Sequence, residues 1–400
     1  MALGRTGTVA ALGTAQTLAW ASSYYLPAML ASSMARDLGV SAPTVFAAFS
    51  VALVVSGLLG PRAGAAIDRW GGRPVLSATS VIFAIGLVAL GLAQSPLAFF
   101  AAWVVLGVGM GSGLYEAAFA TLVRLYGKDS RNSITGITLI AGFASTVGWP
   151  LSTFLEVQVG WRNACFAWAA LHLLMGLPLN LMLPRVTAHE PGAAQAAAAP
   201  MRGDSSPSSL KAVLALSFVF ATTMFIATAM AAHLPRLLQA AGVSLAAAVF
   251  VGALIGPAQV GARLLEFGFL RKVHPLISAR IATALHPLGV ALFVAIGAPA
   301  AAVFGILHGA GNGMLTIAKG TLPLYIFGPQ GYGHRQGLLM LPARFTQALS
   351  PWLFGLALDQ WGAGALAVSA VVGALAFLTL FILSIGTRQG AETQATPARP

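Results

Sequence analysis

The stretch GMGSG at residues 109–113 is followed by Thr121-Leu122, and GAGNG at residues 309–313 by Thr321-Leu322, so one pattern occurs twice at an offset of 200. Both copies sit inside long apolar runs. Working outward, more pairs appear in the same order. Leu26-Pro27 returns as Leu234-Pro235, and Gly39-Val40-Ser41 as Gly242-Val243-Ser244. Leu59-Gly60-Pro61 is echoed by Ile255-Gly256-Pro257, and Pro150 with Trp161 by Pro351 with Trp361. The chain is a duplication. The G-x-G spacings are no dinucleotide fingerprint, which needs a strand, a turn and a helix. In an apolar span, small residues let helices pack closely.

Composition says where the duplicated unit lives. Of 400 residues, 58% are hydrophobic and only 8% charged, against about 25% charged in soluble domains. A membrane-crossing helix needs about 20 mostly apolar residues. Twelve such windows can be drawn, near 9–31, 44–66, 75–94, 97–120, 133–157, 163–183, 212–234, 246–268, 277–297, 299–322, 335–357 and 363–385. None alternates polar with apolar as a membrane barrel would. The expected fold is all-α and integral to the membrane, with twelve transmembrane helices in two pseudo-symmetric six-helix bundles. The bundles are expected at 1–184 and 211–386, with a Pro-, Ala- and Ser-rich linker at 185–210 and a disordered tail at 387–400.

The net charge of +12 is unevenly spread. With the N-terminus inside, the inner loops and their borders hold Arg69, Arg73, Arg124, Lys128, Arg131, Arg185, Arg202, Lys211, Arg271, Lys272, Arg280 and Arg335; the outer loops hold Arg36, Arg162 and Arg236. This positive-inside bias places both termini in the cytoplasm and the chain in the inner membrane. No basic run is interleaved with aromatics, so nucleic acid is set aside. Cys165 stands alone, which excludes an internal disulfide and a Cys-rich metal site. No His pairs suggest a metal, and no cofactor is implied. Arg5, an apolar run and Ala19-Trp20-Ala21 imitate a cleaved leader; removing it would leave an odd number of spans and break the repeat.

After the second span comes GAAIDRWGGR, Gly64 to Arg73. It resembles the loop signature of the major facilitator superfamily, Gly-x-x-x-Asp-Arg-x-Gly-x-Arg. Gly64, Asp68, Arg69, Gly71 and Arg73 fill the family positions, and Gly72 stands where Arg or Lys is usual. The resemblance covers the whole chain. It implies a carrier whose two halves rock about a midplane site, latched at the inner face by this loop. Gly64 permits close helix approach, and Asp68 can accept hydrogen bonds from Arg or from a helix N-terminus. The second copy has decayed. Pairing Gly261 with Gly64 and Gly268 with Gly71 puts Leu265 at the Asp position and Arg263 opposite Ala66, and this register is preferred. A slip of one residue sets Glu266 opposite Asp68 and Arg271 opposite Arg73.

Charges inside spans are functional candidates: Glu116, Arg263, Glu266, Lys319 and Arg344. Arg263 lies roughly 8 Å inside the inner boundary at about 1.5 Å per residue, so it either snorkels or faces the cavity. Its surroundings resemble the eighth span of monocarboxylate and oxalate–formate carriers, where an Arg binds the substrate carboxylate. Monocarboxylate carriers place an Asp one turn earlier, and Gln259 stands there in this chain. Arg344 lies roughly 13 Å into the eleventh span, where oxalate–formate carriers hold a Lys as second clamp; the alternative is pairing with a backbone carbonyl or Glu116. For Glu116 the readings are gating, proton coupling or an interdomain salt bridge. Glu266 is expected either as the local partner of Arg263 or as an inner-rim charge, and Lys319 is expected to snorkel. On spans one and seven, Tyr24 and His233 are candidate substrate contacts, with interface anchoring the rival reading for His233. Gln16, Trp20 and Ser23 share the first span, and His308 opens the glycine run of the tenth.

The expected function is secondary transport of a small organic anion, a carboxylate, with protons as a candidate coupling ion. The alternative is a proton-driven drug or metabolite exporter. Those members carry a fifth-span signature ending Gly-Pro-x-x-Gly-Gly, and here Gly148-Trp149-Pro150-Leu151 is followed by Ser152-Thr153. A receptor on the same fold is a third class. No nucleophile–base set or metal cluster suggests an enzyme. The partners expected are the anion, protons and the lipid bilayer, with the chain a monomer.

Overall fold

The computed structural model describes residues 3–185, 207–270 and 273–383. The expected tail at 387–400, most of the expected linker, and Arg202, Arg271 and Lys272 lie outside them. All regular structure among the described residues is helical. This is the solution a bilayer imposes on a single chain, because a helix satisfies its own N–H and C=O groups.

The helices are α1 (Arg5–Ser22), α2 (Leu26–Leu38), α3 (Ala42–Trp70), α4 (Gly72–Leu92), α5 (Pro96–Gly113), α6 (Tyr115–Tyr126), α7 (Arg131–Ala141), α8 (Ala144–Leu171) and α9 (Leu177–Leu181) in the first half. The second half holds α10 (Pro207–Ala240), α11 (Leu245–Gly268), α12 (Pro275–Ile296), α13 (Ala301–Phe327), α14 (Tyr332–Trp361) and α15 (Ala365–Thr379). Helix starts follow local chemistry. Ser95 caps α5 by accepting from the Ala98 N–H at 3.3 Å, and Ser244 caps α11 through Ala247 in the same way.

Among the described residues, eight helical stretches are long and apolar enough to cross a membrane. Several passes are broken or merged. The first is α1 plus α2, the fourth α5 plus α6, and the fifth α7 plus the start of α8. At Gly160 (φ 80°, ψ 161°) α8 reverses, a conformation open to glycine, so its remainder runs with α9 as the sixth pass. Gly362 (φ 54°) turns the eleventh pass into the twelfth. The described residues thus make the twelve expected passes. Each half has its own apolar interior, one around Phe83, Phe99 and Trp103, the other around Phe220, Phe304 and Phe354.

The glycine repeat does the same work in both halves, but in a shifted register. Gly107 and Gly111 face α3, where an added Cβ would meet the Ala52 and Ser56 carbonyls at 2.6 and 2.7 Å, and Gly113 faces Thr79 of α4. In the second half Gly305 and Gly309 face α11, at Val251 and Ile255, and Gly311 faces Ala282 of α12. The facing glycines therefore correspond at an offset of 198, as Gly111 to Gly309, and the residues they meet on α3 and α11 at 199, as Ser56 to Ile255, and not at the offset of 200 that aligns the letters. Two residues on a helix turn a side chain by about 200°, so the difference changes which neighbour each glycine meets.

Candidate functional site between the two halves

The halves meet along two seams. On one, α3 and α14 run antiparallel at close range. Gly57 lies against the Arg344 Cβ, Gly60 against Gly337, and Gly64 against the Gly333 backbone, so that a Cβ at Gly64 would overlap the Gly333 carbonyl. On the other seam, α7 packs on α11 and α13, while the main partners of α8 are α1, α2 and α4. Phe143, just before α8, and Val147, Trp149 and Phe154 of α8 are exposed, and a Cβ at Gly252 or Gly256 of α11 would meet nothing within 4 Å. The second seam is closed only at the end carrying Arg69, Arg124, Arg131 and Arg335, called the basic end below.

Two carboxylates fasten that end, beside a contact of His334 Nδ1 with the Pro61 carbonyl at 3.1 Å. Asp68 at the close of α3 accepts from the Gly333 and His334 N–H groups, both at 2.9 Å. These are first-turn donors of α14 with no partner inside the helix, and the helix dipole favours a carboxylate there. Of the two partners expected for Asp68, it is the helix N-terminus that is used. Arg69 is exposed and stacks over Trp70 at 5.7 Å, and Arg73 is half-buried. Gly71 (φ 83°) turns the chain from α3 to α4. Gly72, where the family usually has a cation, lies against Thr121, with no room for a side chain.

The second fastening is Arg131–Glu266. Arg131 at the start of α7 reaches Glu266 Oε1 at 3.2 Å, the Leu270 carbonyl at 3.2 Å and the Val273 carbonyl at 2.9 Å. Glu266 is thus not the partner of Arg263, as its position three residues on suggested. It sits 198 residues after Asp68, the offset that also relates the facing glycines. In that role, a carboxylate near the end of its helix held at the start of a helix in the other half, Glu266 stands for Asp68, as the slipped register has it, although the residues that the facing glycines meet on α3 and α11 lie one further on, as Ser56 and Ile255 do.

Further from the basic end, Arg344 of α14 crosses to the first half. Its Nη2 lies 2.9 and 3.0 Å from the two oxygens of Glu116, in the first turn of α6. Its Nη1 donates to Gln347 Oε1 at 3.0 Å, and Gln347 Nε2 donates to the Tyr24 hydroxyl at 2.8 Å. Beside Tyr24, Trp20 packs on Tyr115 at 4.9 Å, and its Nε1–H is buried without an acceptor.

Arg263 is 5% exposed, so it does not snorkel. Its guanidinium lies between the halves, with long contacts to the Thr138 carbonyl (3.4 Å) and Thr316 Oγ1 (3.5 Å) and with Nε unpartnered. No carboxylate pairs with it among the described residues. Gly142 makes the space, because a Cβ there would collide with Arg263 Nη1. Lys319, expected at the inner surface, is instead buried, with Nζ 2.8 Å from Met224 Sδ, a weak acceptor. It lies within electrostatic reach of Glu116, Arg344 and Arg263. Three cations therefore share one carboxylate.

Two candidates fall elsewhere. His233 bonds the Pro351 carbonyl at 2.7 Å and stacks on Phe354, tying the seventh span to the eleventh within the second half. Gln259 is half-buried one turn before Arg263, with its backbone carbonyl pressed on Gly313. Sequence reading missed Gln347, Arg131, Thr138 and Gly142. Gln347 had a local signal, lying three residues after Arg344 on one helix face. The other three are brought in by tertiary packing alone.

Comparison with known proteins agrees with this architecture. The family model of the Major Facilitator Superfamily matches residues 12–318. An uncharacterized 38 kDa protein of Thermoproteus tenax is 28% identical over 364 residues, covering 90% of each chain. A chloramphenicol resistance protein of Pseudomonas aeruginosa is 30% identical over 156 residues, 38% of this chain and 35% of that one. Monocarboxylate transporter 11 of Mus musculus is 30% identical over 161 residues, 36% of this chain and 35% of that one. Among solved structures, the human organic anion transporter TETRAN superposes with a TM-score of 0.69 at 19% identity, over 94% of this chain and 99% of that one. The proton:xylose symporter XylE superposes with a TM-score of 0.73 at 15% identity, over 94% of each chain. These two likenesses speak to the fold alone.

Proposed function

The chain belongs to the Major Facilitator Superfamily, and from that premise we propose that it is a secondary transporter of a small organic anion, a carboxylate, working by alternating access. The observation that carries the substrate class is Arg263: a guanidinium buried between the halves with no carboxylate in contact with it among the described residues. Removing a partner from a buried charge costs about 3–5 kcal/mol, so a site that keeps one unpaired is matched to an anion brought from outside. Arginine suits the task, because its planar fork binds a carboxylate through two nitrogens and does not lose its proton. Arg344, Lys319 and the unpartnered Trp20 N–H add further donors around the same interface.

In this reading the basic end is the cytoplasmic side of the inner membrane, and Asp68 and Arg131–Glu266 hold it shut while the seam between α8 and α11 stands apart. Arg344 alternates between Glu116 and the substrate, so anion binding weakens the contact between halves. Glu116, once released, is the candidate to take up a proton. The working unit is the monomer.

The deciding experiment is uptake of radiolabelled monocarboxylates and dicarboxylates into proteoliposomes. Uptake is expected in the wild type and lost in Arg263→Ala, with the variant still eluting as a folded monomer. Undiminished uptake in that variant refutes the assignment. The exporter reading draws on the likeness to the chloramphenicol resistance protein. Against it, Ser152 stands where that signature has glycine, and it is buried and accepts from Trp168 Nε1 at 3.1 Å. Competition by lipophilic cations and none by carboxylates would favour the exporter.

A further inference from the structure

Away from the seams, the first half encloses a small polar cavity between its first, third, fourth and sixth spans. Gln16, Thr79, Ser80, His172, Gly176 and Asn180 are on its wall. It has about 10 Å³ of room for the centre of one water-sized occupant. What sets it apart is the direction of its hydrogen bonds. Gln16 gives its Nε2 to the Gly113 carbonyl at 2.6 Å, and Asn180 gives its Nδ2 to the Leu76 carbonyl at 3.2 Å and to Ser80 Oγ at 3.0 Å. Those acceptors fix both amide orientations. Gln16 Oε1 and Asn180 Oδ1 are then buried with no donor.

His172 follows the same rule. Ser22 lies 2.8 Å from the Leu18 carbonyl and 2.7 Å from His172 Nε2; in the assigned tautomer its proton goes to the carbonyl and the ring Nε2 is the donor. The neutral ring is left with Nδ1 as an acceptor. The sixth span widens into a π-turn over His172–Gly176, where a Cβ at Gly176 would lie 3.4 Å from Nδ1 and 3.5 Å from Ser80 Oγ. The hydroxyls of Thr79 and Ser80 are turned to the Val75 and Leu76 carbonyls. The wall offers acceptors only. The corresponding cavity of the second half differs, because there His286 and His308 face each other at 3.0 Å.

We propose that this cavity is a binding site for a small monovalent cation, held by Gln16 Oε1, Asn180 Oδ1 and His172 Nδ1. A lone water would serve two of the three acceptors and find no donor for its own oxygen. A divalent ion would lack the carboxylates it is usually bound by. The site stands independently of the anion reading. It does adjoin the α5–α6 break through Gly113, three residues before Glu116.

The test is the melting temperature of the purified full chain, without organic substrate, in NaCl, KCl and choline chloride at matched ionic strength. A saturable rise in NaCl or KCl over choline is expected, the better of the two naming the ion. Its apparent affinity should fall about tenfold or more in Gln16→Leu and Asn180→Leu. Gly176→Ala keeps every acceptor and narrows the cavity, and should weaken the same ion. Identical curves for the wild type in all three salts overturn the proposal, whatever the variants do. So does a cation-dependent rise that survives unchanged in all three variants.

Discussion

Glu116 and Arg344 meet across the interface with both carboxylate oxygens within 3.0 Å of one guanidinium nitrogen. Theirs is one of two ion pairs among the described residues that join the halves, the other being Arg131–Glu266 at the basic end. Arg344 is buried, while Glu116 keeps 20% of its side chain exposed. The arginine therefore depends more on the pair than the acid does.

That asymmetry predicts unequal single variants. Glu116→Leu should destabilise by about 1–3 kcal/mol, since it strands a buried guanidinium that water reaches only in part. Arg344→Met should cost less. The double variant should be milder than the sum, with a coupling of about 1–2 kcal/mol in a cycle of melting measurements. Strict additivity would mean the pair does not hold the halves together.

Gly142 offers a way to move Arg263 without removing it. In Gly142→Ala the new methyl displaces Nη1, the free end of a flexible side chain, so the fold should tolerate it. The expected result is a melting point within a few degrees of wild type and a KM for the transported carboxylate raised about tenfold or more. An unchanged KM would place the guanidinium outside the substrate's reach.

The Asp68 contact can be loosened in two ways. Asp68→Asn removes the charge from two hydrogen bonds that are each worth about 1.5–3 kcal/mol. Gly64→Ala drives a methyl into the Gly333 carbonyl. Both should shift the population toward separation at the basic end by about tenfold or more. Spin labels at Arg69 and Gln330 report it, because Cys165, the one native thiol, is buried. Distance distributions identical to wild type in both variants would refute the latch.

Acid should loosen the neighbouring loop. His274 caps α12 by accepting from the Leu276 N–H on Nδ1 at 3.1 Å, which requires an unprotonated nitrogen. Burial, and then Arg131 and Arg280, hold its pKa below the ordinary 6.5. The unfolded chain thus binds this proton more readily than the folded one. Stability is complete above about pH 6.5 and declines as pH falls below it toward the folded value. His274→Asn keeps the capping acceptor and does not titrate. It should flatten the fall in melting temperature between about pH 7 and pH 5; equal slopes would exclude His274.

The architecture was legible in the sequence because the bilayer leaves few choices. Apolar length gave the spans, and the paired Leu-Pro and Gly-Val-Ser motifs gave the two halves. The loop signature identified Asp68, and the family resemblance pointed to the first span, where Tyr24 meets Gln347. What stayed hidden was register. Matching letters in GMGSG and GAGNG aligned residues that face different neighbours, because a helix is read by its face. A separate shift of one residue, in the register that preserves Gly261 and Gly268, concealed Glu266 as the counterpart of Asp68. Lys319 and Arg263 were ambiguous for another reason: distance along a span measures depth and says nothing of direction. Only the approach of α7, with Gly142 and Thr138, shows that Arg263 turns inward.

The two fastenings at the basic end carry different hereditary risks. Asp68 binds main-chain amides, so position 334 can change its side chain and keep that bond, whereas position 333 is held to glycine, because a Cβ there would meet the Gly64 carbonyl at 2.4 Å. Arg131 and Glu266 are both side chains, and losing either strands the other. Descendants of this gene should therefore exchange those two residues together, while Gly64 and Gly333 stay glycine as a pair and the side chain at 334 changes more freely.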